Sequence, residues 1–157
     1  MAKPFVKWAG GKGYILTQLE ELLPFGFDKM QDVTYIEPFV GGGAMLFHML
    51  AHHKNIRRVI INDINPDLVR CYQLIKENPN ELIERLERIE KSYYLHDAKD
   101  RKELYYIYRD RYNQKGLSKN ERATLFMFLN KTCFNGLYRV NTSGLYNVPF
   151  GRYQHPV

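Results

Sequence analysis

Three consecutive glycines, Gly41-Gly42-Gly43, stand between a short apolar run, Val33 to Ile36, and a segment with helical apolar spacing, Ala44 to His52. A second apolar run, Arg58 to Ile61, follows. Strand, glycine turn, helix, strand is a βαβ unit, which requires two parallel strands joined by a right-handed crossover. The N-terminal part of the chain is therefore confined to the α/β class.

Around that unit the punctuation is regular. Tyr14 to Leu23 carries Ile15, Leu19, Leu22 and Leu23 on one helical face and is stopped by Pro24 and Gly26. Asn65-Pro66-Asp67 supplies a cap, a first-turn proline and a first-turn acid for the next helix. From Leu68 to Asn130 the pattern is helical, with helices expected over Leu68 to Glu77, Pro79 to Lys91, Arg101 to Tyr112 and Glu121 to Asn130, punctuated by Pro79 and Gly116. After Asn135-Gly136, Leu137 to Val140, a Thr142-Ser143-Gly144 turn and Leu145 to Val148 read as a hairpin. Two parts are expected, 1–67 for an α/β cofactor-binding part and 68–157 for a helical part ending in the hairpin.

A chain of 157 residues buries about two thirds of the surface its unfolded form exposes. With 45% hydrophobic and 25% charged residues, general disorder is excluded. The net charge of +6 and pI near 9.3 favour an anionic partner such as a nucleic acid backbone. Apolar stretches fall well short of the roughly 20 residues needed to span a bilayer, and no signal peptide opens the chain, so a cytoplasmic protein without a membrane partner is expected. Cys71 and Cys133 are isolated and read as reduced thiols. His48 and His52 lie one helical turn apart, but Met49 stands where a metalloprotease helix carries Glu, so a solvated face is expected and no metal.

Glycines in a βα turn let a ligand approach the backbone, and the helix that follows offers free amides. Gly41-Gly42-Gly43 fits that role without matching the spaced dinucleotide fingerprint, and a plain tight turn is the alternative. Asp63 lies 22 residues past Gly41 at the end of the second strand, where an acid can bond ribose hydroxyls; helping to cap the next helix is its other reading. Lys7-Trp8-Ala9-Gly10-Gly11-Lys12-Gly13 fails as a phosphate loop because Gly13 follows Lys12. It remains either an aromatic platform flanked by cations or a structural turn. Lys102 to Lys115 interleaves Tyr105, Tyr106, Tyr108 and Tyr112 with Arg109, Arg111 and Lys115, a composition suited to nucleic acid. The helical spacing of Leu104, Tyr108 and Tyr112 favours packing over that reading. In the hairpin, Arg139 with Asn135, Asn141 and Asn147 supplies side chains suited to guanine and adenine edges.

Together, Phe5-Val6-Lys7-Trp8-Ala9-Gly10-Gly11-Lys12, Glu37-Pro38-Phe39-Val40-Gly41-Gly42-Gly43, Asn62-Asp63-Ile64-Asn65, and Asn135 to Arg139 through Asn147 to Tyr153 resemble the Dam-like D12 class of DNA adenine-N6 methyltransferases over nearly the whole chain. The resemblance implies a Rossmann-like methyltransferase core with a partial sheet and a helical target-recognition insertion. It implies S-adenosylmethionine as cofactor, held by Trp8, Lys12, Phe39, Gly41, Gly43 and Asp63. Double-stranded DNA is the implied partner, with Arg139 on a base, Phe134 or Leu137 pressing into the stack, and Lys7, Asn135 and Tyr153 assisting. Relatives with a similar hairpin often target GATC.

The class carries Asp-Pro-Pro-Tyr after the recognition part, where it holds the amine of a flipped adenine in line with the methyl. That motif is absent from these 157 residues, and Asn147-Val148-Pro149-Phe150 is not a variant of it. The expectation is an N-terminal portion of such an enzyme with no catalytic residue of its own. The rival reading is a binding remnant of one; a nicotinamide oxidoreductase fits the glycine spacing and the hairpin less well.

Overall fold

The computed structural model describes residues 2–156, so the outermost residues of the two expected parts, 1 and 157, lie outside it. The chain divides into two compact units: Gly10–Asn65 with the residues before Val6, and Val6–Ala9 with the chain from Pro66 onward.

The first unit opens with a 3-10 turn, Lys12–Tyr14, and a short helix, α1 (Leu16–Glu21). The helix expected over Tyr14 to Leu23 is shorter because Ile15 at its start has no side-chain cap to offer the free amides. Strand β1 (Val33–Glu37), helix α2 (Ala44–His52) and strand β2 (Ile56–Ile61) follow. The strands pair in parallel, Thr34 with Arg58 through Glu37 with Ile61. Their sheet has two strands, and Ile36, Val59 and Ile60 are exposed.

The second unit holds α3 (Pro66–Glu77), α4 (Pro79–Tyr94), α5 (Ala98–Tyr112) and α6 (Lys119–Thr132). Each of the last three starts on a side-chain cap: Asn78 and Ser118 accept from the Glu81 and Glu121 amides, and Asp97 from those of Lys99 and Asp100. Every residue from Ala123 to Asn130 is buried, so α6 is enclosed all round rather than amphipathic. It packs against α3, α4 and α5 and forms the centre of this unit. The tyrosine-rich α5 serves the same core. Tyr105 and Tyr112 are buried, Tyr108 meets Phe128 edge-on, Arg109 covers the Tyr106 ring at 4.6 Å, and Arg111 bonds Glu121 at 2.8 Å. Among the described residues no helix is long and apolar enough to cross a membrane.

Asp67 lies in the first turn of α3 as expected and is also a buried hub. Arg122 from α6 donates Nε–H to its Oδ1 at 2.7 Å and Arg70 donates at 2.6 Å, while Tyr112 from α5 donates its hydroxyl. Burial pushes the Asp67 carboxyl up, but the bonds from Arg122 and Tyr112 and the two guanidinium charges outweigh it and hold the group below its ordinary value. A carboxyl depressed in the folded state adds stability that is present above its unfolded pKa, about 4, and lost as pH falls through the lower folded value. Asp67→Asn is expected to destabilise the protein by roughly 2–4 kcal/mol at neutral pH. Denaturant melts at pH 7 and pH 3 should show that gap to the parent shrinking in acid.

Candidate cofactor turn and nucleic-acid interface

In the first unit the parallel pairing runs on beyond the strands: Asn62 N donates to Glu37 O and Val40 N to Asn62 O, both at 2.9 Å. The chain then turns through Gly41 (φ 52) and Gly43 (φ 84), left-handed positions where a side chain would be strained. Asp63 clasps this turn. Its Oδ2 accepts from Gly41 N and its Oδ1 from Asn65 N, each at 2.9 Å. The bond from Asn65 N is the capping role, and the bond from Gly41 N sets the Asp63 carboxylate beside the glycine turn. Each oxygen of an ionised carboxylate keeps acceptor capacity after one such bond.

Glu37 is buried at the end of β1, where its Oε1 accepts from Lys12 Nζ at 3.1 Å and its Oε2 from the Tyr35 hydroxyl at 2.8 Å. Burial, and then the neighbouring Glu37, push the Tyr35 phenol well above its ordinary pKa. Lys12 also donates to Phe39 O at 3.1 Å. It therefore ties the glycine-rich N-terminal segment to the turn that carries Phe39, whose ring is 75% exposed. Gly43 opens α2 without a side-chain cap. Lys12, Phe39, Gly41, Gly43 and Asp63 are thus brought together, while Trp8 belongs to the second unit. His48, expected on a solvated face, bonds Glu20 at 2.8 Å, and buried His53 bonds Asp28 at 2.7 Å. No group of His, Cys, Asp and Glu that could hold a metal occurs among the described residues.

In the second unit the expected interface residues gather around one buried amide. Asn130 Oδ1 accepts from Lys7 N at 2.8 Å, and its Nδ2 donates to Lys7 O at 2.8 Å and Gly136 O at 2.9 Å. The Lys7 stem runs so close over Gly136 that an added Cβ would lie 2.5 Å from it. This passage carries the Lys7 ammonium to 4.9 Å from the centre of the Tyr153 ring. The Tyr153 hydroxyl in turn accepts from Asn135 N at 3.0 Å. Trp8 packs on Tyr138 and Phe126, with ring centroids 5.7 and 6.0 Å away. Phe134 and Leu137 are exposed beside them.

The segment expected as a hairpin carries one antiparallel bridge, Val140 with Tyr146, and a second bridge joins Cys133 to Phe150. Asn141 makes the turn, its Oδ1 accepting from the Ser143 and Leu145 amides, so its side chain is committed within the loop. Asn113 at the end of α5 donates to Tyr146 O at 2.9 Å and accepts from Tyr146 N at 2.8 Å. Tyr105 donates its hydroxyl to Val148 O at 2.7 Å. Exposed Arg139 donates Nε–H to Asn147 Oδ1 at 2.7 Å. Lys131, half-buried, is held below the ordinary lysine range by desolvation and then by the like charge of Lys7.

The family of D12 class N6 adenine-specific DNA methyltransferases matches residues 8–157. The chain belongs to this family. It is 49% identical over 156 residues to the type II methyltransferase M.MjaIII of Methanocaldococcus jannaschii, a match covering 98% of the chain and 54% of that protein. It is 35% identical over 152 residues to the DNA adenine methylase of Haemophilus influenzae, covering 97% of the chain and 48% of the relative. The DNA adenine methylase of Escherichia coli is 34% identical over 154 residues, covering 98% and 49%. The chain spans about half the length of the curated relatives it matches.

Within this D12 chain, sequence reasoning missed Asn130, Asn113 and Lys131. A single polar residue in a helical run carries no signal until the chain folds its partners onto it, although an Asn amid Phe126, Met127, Phe128 and Leu129 is itself a marker of a buried bond. Asn130→Ala leaves three buried or half-buried backbone groups without their partner, and is expected to cost roughly 2–4 kcal/mol. Denaturant unfolding measures that loss; a change under half a kcal/mol would contradict the clamp.

Proposed function

We propose that this chain is the cofactor-binding and target-recognition portion of an enzyme that transfers a methyl group from S-adenosylmethionine to the N6 amine of adenine in double-stranded DNA. The observation that carries the reading is the clasp between Gly41 and Asp63. Two motifs far apart in sequence meet at 2.9 Å where two adjacent parallel strands end, the place at which open α/β sheets take nucleotide cofactors. The exposed apolar residues Ile36, Val59 and Ile60 fit a Rossmann-like core with further strands.

The donor set suits the cofactor. Asp63 would accept from the ribose hydroxyls, Phe39 would lie against the adenine, and Gly41 and Gly43 would let the ligand close on the backbone. Lys12, neutralised by Glu37, would hold the turn in that shape. The family resemblance assigns Trp8 to the same cofactor. When bound, S-adenosylmethionine supplies an electrophilic methyl on a sulfonium. Asp-Pro-Pro-Tyr, which the family uses to position the amine, is absent from these residues, so no group here is given a catalytic role.

The second unit would take the DNA, with residues 137–148 as the recognition hairpin. Arg139 would read a guanine through its free N–H groups. Phe134 and Leu137, exposed beside it, would press against the bases vacated when adenine leaves the stack. Lys7, Asn135 and Tyr153, already joined to one another, would meet the neighbouring bases or phosphates. The family resemblance makes GATC a candidate target.

The test is incorporation of labelled methyl from S-adenosylmethionine into adenine of duplex DNA by the full protein that carries this chain. Absence of label in adenine, with label in cytosine or none, would refute the reading. Asp63→Asn should weaken S-adenosylmethionine binding by about tenfold, the value of one good charge-assisted bond, and leave duplex affinity within twofold. Calorimetry with the cofactor and fluorescence anisotropy with DNA separate the two effects.

A further inference from the structure

Arg139 and Asn147 face each other beside the Val140–Tyr146 bridge. The main chains are joined there, Asn147 N donating to Arg139 O at 3.1 Å. The side chain of Arg139 then folds onto the same residue twice. Its Nε–H goes to Asn147 Oδ1 at 2.7 Å, and an Nη2 hydrogen goes to Asn147 O at 3.2 Å. A guanidinium has five N–H donors in a planar fork, so these two bonds occupy one edge and leave the Nη1 and remaining Nη2 hydrogens directed away. Those free donors are the pair that can meet two acceptors side by side, as O6 and N7 of guanine present them.

Asn147 is itself held from below. Its neighbours Tyr146 and Val148 are buried, with Tyr146 fixed through both backbone groups by Asn113 and Val148 through its carbonyl by Tyr105. The chain of support therefore runs from the core of α5 to Tyr146 and Val148, to Asn147, to the exposed guanidinium. An unsupported arginine on a surface ribbon loses rotamer freedom when it binds, and it can reach phosphates as readily as bases.

We propose that Asn147 is a specificity-determining positioning residue: it turns Arg139 so that the free edge of the guanidinium meets a base pair in the groove and not the backbone. Asn147 touches no base in this arrangement, and the proposal rests on the reading of Arg139 as a base-contacting residue. Removing the Asn147 side chain frees the Nε edge while the charge of Arg139 stays. The loss falls on discrimination at one base pair, with general DNA affinity retained.

The experiment uses the full protein carrying this chain, with S-adenosylmethionine present and a pool of duplexes randomised over the binding site. Bound duplexes are sequenced, then the preferred duplex and its single-pair variants are titrated individually. Arg139→Ala is expected to flatten the preference at one base pair. Asn147→Ala should lower the preference at that same pair by about tenfold, leave affinity for unrelated duplex within about threefold, and add nothing in the Arg139→Ala background. Asn147→Asp, which keeps the acceptor for Nε, should restore most of the preference ratio. If Arg139→Ala flattens a position that Asn147→Ala leaves within twofold, or if Asn147→Ala weakens all duplexes equally, the positioning role is overturned and the reading of Arg139 stands. If Arg139→Ala flattens no position, the reading of Arg139 falls and the inference falls with it.

Discussion

The surface that gathers Lys7, Asn135 and Tyr153 depends on one buried amide, Asn130. Its carboxamide uses its acceptor and both donors on backbone, one acceptor bond and one donor bond to Lys7 and a second donor bond to Gly136. Because α6 is enclosed on every side, Asn130 cannot turn to solvent, and the free energy of satisfying a buried amide is directed entirely into fixing two chain segments. These are the N-terminal Lys7-Trp8 stretch and the Asn135-Gly136 turn, 123 and 6 residues away in sequence from Asn130. Gly136 completes the fit, since only a glycine leaves room for the Lys7 stem above it. Lys7, Asn135 and Tyr153 are thereby brought together within the fold, which would lower the ordering that the proposed DNA contact requires.

A parallel device operates in the α/β unit, where two carboxylates stand in for caps. Asp63 clasps Gly41 and the residue that leads into α3, and Glu37 gathers Lys12 and Tyr35. Each holds a backbone turn whose glycines would otherwise make it loose. Asp63 and Lys12, to which the proposed function gives a part in cofactor binding, are here also residues that keep the glycine turn in shape. A buried carboxylate also organises the second unit at Asp67, which joins α3 to α5 and α6.

The βαβ unit was legible because its signals are local: a glycine turn, an apolar run on each side and a helix whose limits, Ala44 to His52, agree with the structure. The helices of the second unit were legible in number and at some ends, Glu77, Pro79 and Tyr112, but not at others. Asp97 caps α5 and Ser118 with Glu121 starts α6; both signals stand in the sequence and mark starts two or three residues earlier than apolar periodicity alone does. Roles set by distant partners were not legible. Asp67 is a first-turn acid, but nothing near it in sequence foretells the bonds from Arg122 and Tyr112, nor those that the Oδ1 atoms of Asn141 and Asn147 accept within the loop. The tyrosines of α5 resolve toward packing for the same reason, since only the folded helix shows Tyr105 and Tyr112 turned into the core.

The central claim is that the proposed cofactor contacts centre on the clasped glycine turn and the proposed DNA contacts on the surface built on Asn130. Hydrogen exchange of the full protein with and without each ligand tests this most directly. S-adenosylmethionine is predicted to slow exchange of amides between residues 39 and 65, and duplex DNA to slow those between 134 and 153, together with Lys7. Protection by DNA along Lys102 to Lys115, with residues 134 to 153 unchanged, would contradict the account.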